Sequence, residues 1–315
     1  MNTIPAANDS MGRSRGLAVG VSQSPFDYEA ICKLPKTARY FNVSVLWIAY
    51  YPHLVRLLYA LRIRHEVVTL LSLAFGLAAA VILVSHPSVP SLVLAAILVH
   101  LKDVFDACDG SLARLTNTGH RIGRFLDTIG DGIVFTALIA AIAWNTIEMG
   151  GSTATTLLWA GATWLSLFLQ CSYFNFYHLH YTSLSGAVSA SRLDERDASN
   201  DHATLPARTL YGFLHAIYVL WFAWQDSLIR RLDQLSFATV RTSDDHNASL
   251  PDRWYKSRGF LVANSALCYG THAFVLILCL LAGYPNWFFP AVAVGMNLYF
   301  AAIIAARTVY FRGVA

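Results

Sequence analysis

Asp106-Ala107-Cys108-Asp109-Gly110-Ser111-Leu112-Ala113-Arg114 and, after a short interval, Gly123-Arg124-Phe125-Leu126-Asp127-Thr128-Ile129-Gly130-Asp131 decide how this chain is read. Together they spell D-x2-D-G-x2-A-R-x8-G-x3-D-x3-D. The two pieces sit at the edges of long apolar runs, from about Pro90 to Ala113 and from about Ile122 to Trp144. Carboxylates so close to a membrane interior are costly and need a cation, a partner or a task.

The spacing sets their geometry. Asp106 and Asp109 are three apart and share one helix face. Asp127 and Asp131 are four apart and share a face of the next helix. The polar, basic link Arg114–Arg121 is short, so the helices are antiparallel neighbours and the two pairs converge. Four converging carboxylates repel unless divalent cations lie between them, and hard oxygen ligands suit Mg²⁺ or Mn²⁺. Carboxylates shared by two ions are the arrangement of two-metal phosphoryl transfer. Gly110 and Ala113 clear a face beside the acids, and Gly123 does so one turn before Asp127, so a ligand can approach the backbone. Arg114 adds a forked donor that matches a diphosphate.

The surrounding composition is that of a membrane protein. Of 315 residues, 56% are hydrophobic and only 13% charged, against about 25% charged in soluble domains. The net charge of +4 makes no case for nucleic acid. The basic residues flank apolar runs, as suits an anionic membrane face. The five cysteines are not closely paired and read as buried thiols.

Apolar runs predict about six transmembrane helices in an all-α bundle: Val67–Val84, Pro90–Ala113, Ile122–Trp144, Thr156–Phe176, Phe260–Leu281 and Trp287–Ala306. Residues 1–40 read as a disordered cytoplasmic tail. Residues 41–64, with Pro52, Arg56 and Arg62, read as an amphipathic helix at the membrane interface. The transmembrane catalytic domain is expected over 65–315, with cytoplasmic insertions near 183–208 and 225–258. The run Leu210–Trp224 is short for a span and is read as an interfacial or partly packed helix, with a seventh span as the alternative. Arg56, Arg62, Arg64, Arg114, Arg121 and Arg124 lie on the side of the aspartates, while the links on the other side lack Lys and Arg. The acidic cluster therefore faces the cytoplasm.

The aspartate stretch resembles the signature of the CDP-alcohol phosphotransferase (CDP-alcohol phosphatidyltransferase) family of membrane phospholipid-synthesis enzymes, and every fixed position is met. The resemblance covers about Arg64–Trp144 well and the later spans by topology alone. It implies transfer of a substituted phosphate from a CDP-alcohol to an acceptor alcohol with release of CMP. It further implies two divalent ions held by Asp106, Asp109, Asp127 and Asp131, with Asp131 also the catalytic base that deprotonates or orients the acceptor hydroxyl. Gly110, Ala113 and Gly123 would border the nucleotide, and Arg114 would help hold it. Family members often carry Pro-Asn-x-x-Thr at the start of the first span. Here the stretch is His65-Glu66-Val67-Val68-Thr69, and of that motif only Thr69 matches, as a nucleotide-side residue. A homodimer in a bacterial-type inner membrane is implied, with CDP-diacylglycerol as the favoured donor. The converse, a CDP-choline or CDP-ethanolamine donor with diacylglycerol, uses the same aspartates.

Flanking residues leave alternatives open. Asp103, on the face of Asp106, is either outer support for the site or a solvated helix-end charge. Arg121 and Arg124 either hold an acceptor phosphate or anchor the interface. His100 reads as packed or hydrogen-bonded, and the His178-Leu179-His180 pair lacks the nearby Cys or carboxylate a metal site needs. Two other classes use intramembrane acids. A prenyltransferase would place two Asp-rich motifs far apart in the chain. A cation transporter would place its acids near mid-membrane on discontinuous helices.

Overall fold

The computed structural model describes residues 26–29, 31–32, 34–85, 88–119, 121–185, 205–240 and 250–313. Among them all regular structure is helical. The helices are α1 (Tyr51–Ala60), α2 (His65–Ser85), α3 (Val89–Leu115), α4 (Arg121–Glu148), α5 (Thr153–Leu184), α6 (Leu205–Ala238), α7 (Leu250–Lys256), α8 (Arg258–Ser265) and α9 (Tyr269–Leu281). A final helical run, Pro285–Arg312, closes the chain.

α2, α3 and α4 form the heart of the bundle, and small residues let them approach. Ser72, Gly76, Ala79 and Ala80 make up much of the buried face of α2. A Cβ on Gly76 would lie 2.5 Å from Val134 of α4, so only glycine allows that contact. Between membrane helices such packing takes the place of the hydrophobic drive that water supplies to soluble bundles. α3 starts with a reciprocal Ser88–Ser91 capping box and Pro90 in its first turn. It ends in a Schellman turn: Asn117 has φ 52°, Thr118 N–H donates to Ala113 O (3.0 Å), and Asn117 N–H donates to Arg114 O (3.2 Å). That turn reverses the chain into α4.

Among the described residues, four helical runs are long and apolar enough to cross a membrane: His65–Ser85, Gly123–Glu148, Arg258–Leu281 and Pro285–Arg312. The expectation of six is met only to that extent. α3 and α5 are as long, at 27 and 32 residues, but α3 carries Lys102, Asp103, Asp106 and Asp109 in its second half. α5 is rich in Ser, Thr, Tyr and His.

Other boundaries differ from the sequence reading. Residues 41–64 do not form one interfacial helix. They divide into a 3₁₀ segment, Val43–Ile48, and α1, after which Arg62 turns the chain with φ 56°. Val55 and Leu58 of α1 are buried with Val104, Cys108 and Leu112 of α3. The tail reading of 1–40 falls, for residues 1–25, outside the described residues, whereas Ile31, Leu34 and Ala38 are buried. The insertion read at 183–208 lies largely outside them as well. Residues 225–238, the first part of the second expected insertion, are helical, because α6 continues through them to Ala238. Leu214, Tyr218 and Phe222 of α6 are buried in the same core as Phe125 and Phe168. Helical periodicity persists past Trp224 although the composition turns polar.

Buried polar side chains tie the late helices to α5. His272 Nε2 pairs with Gln170 Oε1 (2.8 Å), Gln170 donates to Asn297 Oδ1 (2.8 Å), and Asn297 donates to Ser166 Oγ (2.7 Å). Arg307 is buried at 1% exposure and donates to Asp233 Oδ1 (3.0 Å) and to Trp254 O (3.1 Å). Its guanidinium lies over Trp254 at 3.6 Å and Tyr177 at 4.0 Å from the ring centres. Removing one partner of a buried pair strands the other charge. Arg307→Ala is therefore expected to cost about 3–5 kcal/mol. Thermal unfolding in detergent checks this, and the Arg307→Ala/Asp233→Ala double variant should lose less than the sum of the singles.

Candidate active site

The turn between α3 and α4 brings the four motif aspartates together. One carboxylate oxygen each from Asp106, Asp109 and Asp127 lies within 4.8 Å of the others, close enough to share one cation. Asp109 Oδ2 accepts a hydrogen bond from Thr69 Oγ1 (2.6 Å), which also donates to His65 O (3.1 Å). Thr69 thus reaches the cluster from α2 and orients a carboxylate.

Asp131 has a different partner. The Lys102 ammonium donates to Asp131 Oδ1 and lies 3.4 Å from Asp106 Oδ1. Lys102 and Asp131 are both buried. Buried charges persist only when paired, and one ammonium cannot balance four carboxylates. The donor set is all carboxylate oxygen, which fits a hard divalent ion.

The aspartates line a cavity of about 540 Å³. Gly110, Arg114, Arg124, Asn175, His178 and Asp226 line it too, as do Arg39, Tyr40 and Asn42 from the segment before α1. Gly110 leaves open space: a Cβ there would meet only Arg114 Nη1, at 3.4 Å. Arg114 is partly engaged within the fold, donating through Nε to Ile31 O (2.9 Å) and through Nη2 to Ser111 Oγ (3.0 Å). Ala113 and Gly123 are half-buried near the helix ends. The Arg124 guanidinium stands 5.6 Å from the Tyr218 ring centre. The side chain of Arg121 lies outside the described residues.

Asp103 lines the same cavity, but its carboxylate is engaged by other partners. Its Oδ2 accepts from Trp47 Nε1 (3.0 Å), and its carboxylate would stand 3.1 Å from a Cβ on Gly270. It joins the 3₁₀ segment and α9 to α3, and it is buried, not solvated. His100 is hydrogen-bonded to Tyr50 OH (2.7 Å) and His178 Nδ1 to Tyr40 OH (3.0 Å). Arg39 donates to Glu29, and that hydrogen bond holds the Glu29 carboxyl below its ordinary range.

Sequence reasoning passed over Lys102 and the cavity wall. Lys102 left a signal, a lysine inside an apolar run one turn before Asp106. Arg39, Tyr40, Asn42 and Asn175 left none, since nothing local marks a residue that meets the motif only through tertiary packing.

No curated relative matches the chain. The model of the CDP-alcohol phosphatidyltransferase family matches residues 65–240, more than half of the sequence and the whole stretch that builds the acidic site. With four helices able to cross a membrane and the family's acidic motif gathered at one cavity, this chain belongs to the CDP-alcohol phosphatidyltransferase family and is an integral-membrane transferase of lipid metabolism.

Proposed function

We propose that the enzyme transfers a phosphatidyl group from CDP-diacylglycerol to a small polar alcohol and releases CMP. The observation that carries this reading is the convergence of Asp106, Asp109 and Asp127 in a cavity shared with Asp131 and Arg124. Polar groups from Arg39, Asn42, Asn175 and His178 line the same cavity and favour a polar acceptor over diacylglycerol.

In this reading Asp106, Asp109, Asp127 and Asp131 hold two Mg²⁺ or Mn²⁺ ions. When bound, the ions neutralise the diphosphate and stabilise the leaving nucleotide. Thr69 orients Asp109. Gly110, Ala113 and Gly123 leave room for the nucleotide, and Arg114 is placed to hold its phosphate. Arg124, and Arg121 beside it, serve the acceptor side. Asp103 acts from outside, by fixing α3 against the 3₁₀ segment and α9. Asp131 orients the acceptor hydroxyl and takes its proton. The acceptor oxygen then bonds to the phosphorus bearing the diacylglycerol, the bond from that phosphorus to the bridging oxygen breaks, and its electron pair leaves with CMP.

The membrane arrangement follows the same reading. α3 and α5 are about 40 and 48 Å long at 1.5 Å per residue, enough to cross a hydrocarbon core of about 30 Å and make six spans. Arginines beside the aspartates orient the site to the cytoplasm of a bacterial inner membrane. α1 lies along the interface, with Arg56 and Leu57 on its exposed side. The functional unit is a homodimer.

Purified enzyme with Mg²⁺ tests the donor and acceptor. CMP should appear with CDP-diacylglycerol and a polar alcohol, and not with CDP-choline or CDP-ethanolamine and diacylglycerol. The opposite pattern would reverse the assignment of donor and acceptor. Asp127→Asn should lower CMP release at least about a hundredfold while the protein still elutes as a folded species. Near-normal turnover at saturating Mg²⁺ would sink the metal assignment. Thr69→Val removes a hydrogen bond to a carboxylate and should raise the Mg²⁺ concentration for half-maximal activity about tenfold.

A further inference from the structure

Lys102 is not part of the acidic motif, yet the bundle is shaped around it. Its backbone carbonyl accepts from Ser72 Oγ (3.0 Å), which locks this turn of α3 to α2. Its stem passes beside Gly76, where a Cβ would come within 3.2 Å of Lys102 Cγ. Its ammonium lies 5.9 Å from the Phe135 ring centre. The side chain is thereby led from α3 to α4, where the ammonium bridges Asp131 and Asp106. The oxygens of Asp106, Asp109 and Asp127 remain gathered beside it. The cluster is thus divided: three carboxylates come close enough to share one divalent ion, and an ammonium stands between Asp106 and Asp131.

We propose that Lys102 is an internal counter-cation for the second metal position, so that the two ions bind in order and with unequal affinity. The inference rests on the two-ion reading above. The first ion meets Asp106, Asp109 and Asp127 and leaves the contact of Lys102 with Asp131 intact. The second must break the contact of Lys102 with Asp131 and is repelled by its charge at close range. Lys102 therefore keeps Asp131 charge-balanced in the empty enzyme and holds back the second ion until the anionic diphosphate of the donor arrives to offset the added charge. It is a positioning residue toward Asp131, not a group that touches the reacting atoms.

Mn²⁺ binding to purified protein in detergent, followed by the electron paramagnetic resonance of free Mn²⁺, tests this without reference to turnover. Wild-type protein should show two classes of site at least about tenfold apart, a conservative figure for a unit charge at a few ångströms. Lys102→Met and Lys102→Gln should tighten the second class about tenfold or more and leave the first within about twofold. Lys102→Arg, which keeps the charge, should preserve the gap. In thermal melts the rise in Tm on adding Mn²⁺ should be larger for the neutral variants, because metal then relieves an uncompensated Asp131. A single site in wild-type protein and two in the neutral variants would support the role of Lys102 and correct the two-ion reading for the resting enzyme. Two classes with identical isotherms in wild-type and neutral variants would overturn the Lys102 proposal and leave the two-ion reading standing. A single site in every protein, at saturating Mn²⁺, would overturn both.

Discussion

Four carboxylates inside an apolar helix bundle can coexist only if opposite charge is brought to them, and much of this molecule is arranged around that requirement. Transfer of an isolated carboxylate out of water costs far more than any single packing contact returns. The chain meets part of the demand with Lys102, held beside Asp131 and Asp106. Asp106, Asp109 and Asp127 still gather close together, with Lys102 reaching Asp106 of the three. The residual negative charge suits the site to a hard cation.

The packing around the site follows from holding that charge in place. α2 supplies Thr69 to orient Asp109, Ser72 to fix the turn of α3 that carries Lys102, and Gly76 to let α4 approach. One face of one helix therefore serves the first aspartate pair, the lysine and the close contact that sets the spacing between the pairs. The Schellman turn after α3 supplies the reversal that makes the pairs face one another. Away from the site, the late helices depend on a second buried charge. Arg307 pairs with Asp233 and is enclosed by Trp254 and Tyr177, so α5, α6, α7 and the final helix meet at one guanidinium. Arg307 and Trp254 lie beyond the matched region at 65–240, and the pair joins that added part of the chain to the matched helices.

The acidic motif was legible because helical geometry is local. Residues three or four apart share a face whatever surrounds them, so Asp106 with Asp109 and Asp127 with Asp131 could be paired, and the short link could be read as an antiparallel reversal. The all-α class followed from long apolar runs for the same reason. Boundaries were less legible where composition and periodicity part company. α6 keeps its helix through Asp226, Arg230 and Asp233 after the apolar run ends, because buried neighbours, not hydropathy, sustain it. Residues 41–64 looked like one amphipathic helix by composition but are divided, since Val55 and Leu58 dock on α3 while the preceding 3₁₀ segment follows Trp47 to Asp103.

The sequence by itself determined that the chain builds apolar helices, that two of them carry paired carboxylates at their ends, and that the pairs sit on opposed faces of a hairpin. These are consequences of 3.6 residues per turn and of the cost of charge in an apolar medium. Only the tertiary structure decided that Lys102 reaches Asp131 and Asp106, and that Asp106, Asp109 and Asp127 converge closely enough to share a cation. It alone decided that Arg39, Tyr40 and Asn42 wall the cavity, that Asp103 turns toward Trp47, and that Arg307 finds Asp233. Each of these joins residues distant in sequence or on different helices. Such partners are selected by the rotation and approach of whole helices, which small residues such as Gly76 permit and which no local pattern encodes.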